Sequence, residues 1–325
     1  MIDLPESGGT GALAAALRAG HFAATAEIGP PRGANAEVVR RKAALLAGHV
    51  DAANITDNPS GFIRLSSLAG CVIAQAGGVE AVVQLTCRDR NRIALQSDLI
   101  GAGALGIPNV LLLTGDHPRF GDHPDAKPVF DLDGVQLTWT ARELRDEGRL
   151  LSGRELTARP RWLIGAVENP FAPPREFRAR RLGKKVAVGA QFVQTQFVFD
   201  VAGFADWMKQ VRDLGLHERC GILAGVGPLR SLRALQHVSN DVPGVYVPDD
   251  VGRRLRAVPE DRIADAGVDL CVETIQQIRE IPGVAGVHVM AFGYERGIPE
   301  ILERAGVGPR TRVSAVAGRG DEHAR

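Results

Sequence analysis

The sequence predicts a (β/α)₈ barrel, a TIM barrel folded as a single domain, and three observations predict it. Eight short runs rich in Val, Ile, Leu and Phe, at 22–28, 51–56, 81–86, 109–114, 161–167, 191–196, 220–225 and 286–291, read as buried parallel strands. Helical patterns such as Ala36 to Ala47, Ile63 to Ala76, Arg92 to Leu105 and Phe204 to Leu214 separate them. The chain has 325 residues, which suits one barrel of about 250 residues plus additions better than two average domains. A doubly wound sheet is the rival, but no Gly-x-Gly-x-x-Gly follows the first run, and Gly225-x-Gly227 is too short to be that fingerprint.

Residues 1–20 form a lead-in in which Ser7-Gly8-Gly9-Thr10-Gly11 reads as flexible, followed by a short helix through Leu17. The barrel occupies 21–307. Gly48, Gly77, Gly106 and Gly215 stand where helix C-terminal stops belong. Two connections exceed barrel norms. The loop after the fourth strand, His117 to Asp131, holds Pro118, Pro124 and Pro128 around Gly121. An extra segment between the seventh and eighth strands, Gly244 to Pro259, carries an extended piece Val245-Tyr246-Val247 and an Arg-rich turn. Long ordered loops on the catalytic face usually carry function. Residues 308–325 have no sustained apolar period and read as a mobile tail.

A formal net charge of +1 gives no sign of a nucleic-acid or membrane-surface partner. Four scattered cysteines, without a Cys-x-x-Cys pair, read as reduced thiols. No basic-then-apolar leader or membrane-length apolar stretch is evident, so the expectation is a soluble, cytoplasmic protein. His117 and His123 flank Asp122 without further ligands at metal spacing, and no metal site is expected.

Five of the apolar runs end abruptly in polar clusters, at Glu27, Thr56-Asp57-Asn58, Thr86-Cys87-Arg88-Asp89, Thr114-Gly115-Asp116 and Gln194-Thr195-Gln196. Barrel enzymes assemble their sites at such strand ends. Glu27 is a carboxylate inside an apolar strand, costly unless paired or protonated. It reads as an acid or base, against the bland alternative of a pair with Arg32. Gly115 permits close backbone approach and Asp116 can accept from ring N–H groups, or the tripeptide simply closes a turn. Gln194 and Gln196 share a face by the period-two rule, with Thr195 opposite. Their amides suit the edge of a pterin or nicotinamide, or equally an interior hydrogen-bond network. Arg88, Arg90 and Arg92 either grip phosphates or form local ion pairs. Lys184-Lys185 with Arg178, Arg180 and Arg181 form a second basic cluster, solvated or phosphate-binding. A Schiff-base aldolase would need a strand-terminal lysine, and none of the eight runs ends in one.

Taken in order, Ala26-Glu27-Ile28-Gly29-Pro30-Pro31, Asn54-Ile55-Thr56, Gln84-Leu85-Thr86-Cys87, Leu113-Thr114-Gly115-Asp116, Gly189 through Asp200 and Val287-His288-Val289-Met290 resemble the methylenetetrahydrofolate reductases. That resemblance covers about residues 20–305 and implies a flavin-dependent barrel that reduces methylenetetrahydrofolate to methyltetrahydrofolate in one-carbon and methionine metabolism. It implies that Glu27 protonates the folate, that Asp116 lies beside the flavin and pterin rings, and that Gln196 contacts folate and nicotinamide. It places Thr56, Asp57, Gln84, Thr86, Thr114, Gly115 and Val167 on flavin-lining positions, Phe130 and Asp131 near the ribityl-phosphate chain, and Lys184 and Lys185 near the phosphates. This chain departs from many relatives at Gln84, where they carry His, at Thr114, where they carry Arg, and at Val167, where an aromatic is usual. The Thr-Gly-Asp-His-Pro loop and the Glu-Ile-Gly-Pro-Pro turn look more like the subgroup of acetogens. FAD with NADH or NADPH is the first expectation. FMN with electrons from a partner subunit is the alternative, as is a flavin-free docking subunit. A homo-oligomer is left open.

Overall fold

Alternating strand and helix signals are realised as a closed barrel of eight parallel strands in sequential order in the computed structural model of the chain. The structure describes residues 2–4, 8–242, 244–291 and 293–310. The strands are β1 (Ala23–Ile28), β2 (Ala52–Ile55), β3 (Ala81–Thr86), β4 (Asn109–Leu113), β5 (Leu163–Glu168), β6 (Phe192–Phe197), β7 (Gly221–Val226) and β8 (Val284–Val289). Each lies within two residues of its expected position. The helices are α1 (Ala12–Ala19), α2 (Ala36–Leu46), α3 (Ser67–Ala76), α4 (Arg92–Ala104), α5 (Gly134–Arg142), α6 (Arg178–Ala187), α7 (Val201–Asp213), α8 (Leu232–Asn240), α9 (Asp249–Arg256), α10 (Ile263–Arg279) and α11 (Ile298–Arg304).

Short polar side chains start many of these helices, as helix N-termini require. Asn35 accepts from the Glu37 N–H, Asn91 from Ile93 and Ala94, Asp200 from Gly203 and Ser231 from Ala234. Asp133 and Gln136 form a reciprocal capping box on α5. The expected glycine stop after α3 is displaced by one residue. Gly77 has φ −82°, and Gly78 takes the left-handed turn at +87°. Gly77 is small for packing: a Cβ there would fall 2.8 Å from that of Ala43.

The apolar core lies in two places. One shell fills the space between strands and helices. The other fills the N-terminal half of the barrel lumen, where Ala52, Val82, Leu111, Leu163, Phe192 and Leu223 meet Leu13 and Leu17 of α1. Phe192 reaches across to Gly165, where any Cβ would overlap its ring. The lead-in is therefore a plug, and Gly8 and Gly9 are held by the Arg18 guanidinium on their carbonyls at 2.8 and 2.9 Å. Glu80, just before β3, takes the free N–H groups of Ala12 and Leu13 and accepts from Asn109 at 2.8 Å. Ser7 lies outside the described residues.

Two further expectations are modified. The Arg-rich turn after β7 is the helix α9, with Asp249 and Asp250 in its first turn and Arg253, Arg254 and Arg256 in its last, matching the helix dipole. Val245-Tyr246-Val247 pairs with no strand. At the start of the expected tail, Arg310 donates to the Phe22 carbonyl at 2.9 Å and lies 3.5 Å from Asp51, so this part is anchored. Residues 311–325 lie outside the described residues. Among the described residues no helix is long and apolar enough to cross a membrane.

Candidate active site

Above the Phe192 layer the lumen turns polar. Asn54 and Gln194 exchange amide hydrogen bonds, Gln194 Nε2 donates to Thr25 Oγ1 at 3.1 Å, and Thr25 Oγ1 lies 3.0 Å from His288 Nδ1. Burial holds the His288 imidazole neutral, its pKa pushed down to about 3. Gln194 and His288 of this network line a cavity of about 430 Å³ that opens at the C-terminal ends of the strands. That volume lies in the usual range for small-molecule sites.

Ten of the fourteen residues to which the resemblance gives a role meet in that cavity: Glu27, Thr56, Asp57, Gln84, Thr86, Gly115, Asp116, Val167, Lys185 and Gln196. Glu27 stands at the end of β1 opposite Asn54 in the register. Its bland reading as a partner of Arg32 does not hold, because Arg32 lies over the Phe62 ring. Burial, and then the nearby Glu295 carboxylate, push the Glu27 pKa up to about 7, while Lys42 opposes the rise. Among the described residues its carboxyl has no hydrogen-bond partner.

Asp57 is fully engaged. It accepts from the Thr86 N–H and hydroxyl, both at 2.9 Å, and from Arg90 at 2.7 and 3.1 Å. It shapes the wall, and Thr56 beside it has a buried hydroxyl without a hydrogen-bond partner among the described residues. Arg88 is buried as well, donating to the carbonyls of Asn58 and Asp116 and pairing with Asp89. The alternating arginines are thus local ties between the exits of β2, β3 and β4. Gly115 has φ +87°, and a Cβ there would come 3.0 Å from that of Thr86. Asp116 is exposed at the rim.

The remaining expected contacts lie elsewhere. Lys184 is exposed and sits over the Phe177 ring, while Lys185 is buried and faces the cavity. Adjacent residues on a helix point about 100° apart, so only one of the two can. The Thr114 hydroxyl accepts from the Gly134 N–H at 3.0 Å, outside the cavity lining. Phe130 packs against the core shell, and Asp131 pairs with Arg92 at 2.8 Å, which holds its pKa down at about 2. Both secure the return of the long loop and are not in the cavity wall.

Strict alternation fails along β6. A bulge between Gln194 and Phe197 places all four residues 194–197 against the cavity, and Thr195 Oγ1 accepts from the Gly225 N–H at 2.9 Å. Sequence reading missed Glu168, a buried carboxylate at the end of β5 bonded to Lys185 at 2.9 Å, with Arg178 and Arg181 at 3.8 and 3.9 Å. The signal was the one that marked Glu27, a carboxylate ending an apolar run, but the expected strand stopped one residue short. His288 was legible only as a polar residue within an apolar strand.

The sequence matches the methylenetetrahydrofolate reductase family over residues 12–306. It is 27% identical over 267 residues to methylenetetrahydrofolate reductase 2 of Saccharomyces cerevisiae, covering 79% of this chain and 42% of that one. It is 23% identical to a probable methylenetetrahydrofolate reductase (NADPH) of Caenorhabditis elegans, covering 74% and 34%. With methylenetetrahydrofolate reductase (NADH) 1 of Arabidopsis thaliana it shares 22% identity, covering 73% and 40%. The chain spans about two fifths of the length of these relatives. Among solved structures, a Clostridium thermocellum protein that binds two copies of 5-methyl-5,6,7,8-tetrahydrofolic acid superposes with a TM-score of 0.61 at 13% identity, covering 87% of this chain and 93% of that one. At that identity the likeness concerns the fold. The closed barrel, the ordered strand-end residues and the family match along nearly the whole chain together establish that this chain belongs to the methylenetetrahydrofolate reductase family.

Proposed function

We propose that the chain reduces methylenetetrahydrofolate to methyltetrahydrofolate, with a flavin as resident cofactor and NADH or NADPH as donor. FAD is the first choice, and FMN is the alternative. The observation that carries the reading is Glu27: a carboxyl without a hydrogen bond, its pKa raised to about 7, facing a cavity bedded on neutral amides. Such a group holds a proton near neutral pH and can release it to a bound base.

The residues present fit a flavin. The orphaned Thr56 hydroxyl needs a partner that none of the described residues supplies. Three cations around the single Glu168 carboxylate leave net positive charge at the rim for phosphate. When bound, the flavin supplies hydride transfer. The chain's own work is orientation and acid catalysis. Gln196 and the rim carboxylate Asp116 offer an amide and an acceptor to a pterin ring. Glu27 gives its proton to a nitrogen of the folate's five-membered ring as the methylene C–N bond opens, and the carboxylate left behind sits near Lys42. The polar bed below stays uncharged because His288 stays neutral.

Stopped-flow measurement of the two half-reactions of Glu27→Gln tests this. Flavin reduction by the nicotinamide should continue while the folate step loses about 10²–10⁴-fold. Equal folate rates in variant and parent remove Glu27 from the mechanism. Protein that takes up neither FAD nor FMN on reconstitution removes the flavin.

A further inference from the structure

Behind Glu27 lies a charge pair of which the proposed chemistry uses only the nearness of Lys42. Glu295, in the loop after β8, is 6% exposed and accepts from Lys42 Nζ at 2.6 Å. Lys42 is on α2, and its ammonium also donates to the Gly29 carbonyl at 3.2 Å, two residues beyond Glu27. β8 is the barrel neighbour of β1, and α2 is the helix that follows β1. The two charges thus reach Glu27's strand end from its two flanking elements.

A staple across the barrel seam would need only a donor and an acceptor. Withdrawing a buried carboxylate and a half-buried ammonium from water for that purpose is poor stabilisation, since desolvation offsets much of the attraction. Charges placed there do act on a neighbouring carboxyl, because a protein interior screens them weakly. We propose that Glu295 and Lys42 are positioning residues that govern when Glu27 holds its proton, an inference that rests on reading Glu27 as the acid. Glu295 repels a carboxylate at Glu27 and favours the loaded acid. Lys42 attracts that carboxylate and steadies it once the proton has left.

The other groups around Glu27 leave this role to the pair. From β2 come the neutral Asn54 and Thr56, with Asp57 already engaged by Arg90. From β8 comes the neutral His288, and from the β4 loop the exposed rim residue Asp116. Arg32, beyond the turn, is over the Phe62 ring. Burial and the two charges of the pair are the influences on the Glu27 carboxyl.

The test is infrared titration of the Glu27 carboxyl in substrate-free protein, with the Glu27→Gln variant of each background as the blank. Glu295→Gln keeps an acceptor for Lys42 and removes the negative charge. Its midpoint should fall by roughly one pH unit, and that of Lys42→Met should rise. An unmoved midpoint in Glu295→Gln overturns the proposal. If that variant does not fold, Lys42→Met decides in the same way. At pH 8 the folate half-reaction of Glu295→Gln should slow by roughly tenfold as the acid form is depleted. Midpoints that move while the folate pH profile stays fixed would leave the pair's control of Glu27 standing and remove Glu27 from the acid's role.

Discussion

The two ends of the barrel both carry carboxyls largely withdrawn from water, and they treat them in opposite ways. At the N-terminal end, Glu80 accepts from Ala12, Leu13 and Asn109, and Asp51 accepts from Ala24 at 2.7 Å beside Arg310. At the C-terminal end, Glu27 has charges nearby and no hydrogen bond among the described residues. Burial raises the pKa of all three. The direction of a pKa shift therefore does not distinguish structure from chemistry here, and hydrogen-bond satisfaction does. A carboxylate whose lone pairs are filled by its own chain holds the fold. One left unfilled in a cavity is available to a ligand.

The sharpest way to break this contrast is to exchange the consequences of mutating each end. Glu27→Gln should cost about 10²–10⁴-fold in the folate step and yet stabilise the protein at high pH. The Glu27 pKa is raised from 4.5 to about 7, so the folded chain holds this proton more tightly than the unfolded chain. That contribution is complete below about pH 4.5 and is lost as pH rises through about 7. The variant's advantage, on the order of 2 kcal/mol, should appear in urea midpoints at pH 8 and vanish at pH 4.5.

Glu80→Ala should do the reverse. It strands two helix N–H groups and leaves the Asn109 amide with only the Ala81 carbonyl, at a cost of about 2–4 kcal/mol in chemical denaturation. Turnover per folded molecule should be unchanged. Loss of turnover with intact stability would reverse the roles assigned to the two ends.

His288 probes the boundary between them. Its pKa is depressed from 6.5 to about 3, so the unfolded chain takes up a proton that the folded chain refuses. Stability should fall as pH drops from about 6.5 towards 3, at up to about 1.4 kcal/mol per pH unit. Between pH 7 and pH 5 the His288→Gln variant should lose about 1–2 kcal/mol less than its parent. Parallel losses would place the titration elsewhere. The smallest effect belongs to Thr56→Val. Its hydroxyl has no partner among the described residues, so stability should hold while flavin affinity drops by about 3–10-fold. Unchanged affinity would make the orphaned hydroxyl irrelevant to the cofactor.

The strands were legible because a parallel strand buried on both faces must be apolar along its length, and the site because polar residues are costly there except at the ends. What escaped was set by partners distant in sequence. Nothing near Leu13 and Leu17 announces that they close a barrel floor built from residues up to Leu223. Glu295 and Lys42 belong to a loop and a helix with no distinguishing pattern, and their meaning comes from lying behind Glu27. The β6 bulge defeated simple alternation because one extra residue changes the parity of everything after it. The arginines after β3 were readable as cations, but not as cations already occupied by Asp57, Asp89 and Asp131.

The loop after β2 and the long loop after β4 meet backbone to backbone. A Cβ on Gly121 would fall 2.0 Å from the Gly61 carbonyl oxygen, and Asp122 accepts from the Ile63 N–H at 3.2 Å. Across the mouth, among the described residues, side chains of the loop after β5 reach the segment after β7, with Asn169 Nδ2 on the Gly244 carbonyl at 2.9 Å and Arg175 over the Tyr246 ring. Side-chain contacts re-form after a rotamer change, whereas touching main chains move only together. The mouth is therefore tied unevenly: along one arc main chain packs on main chain, and across the other side chains bridge the loops.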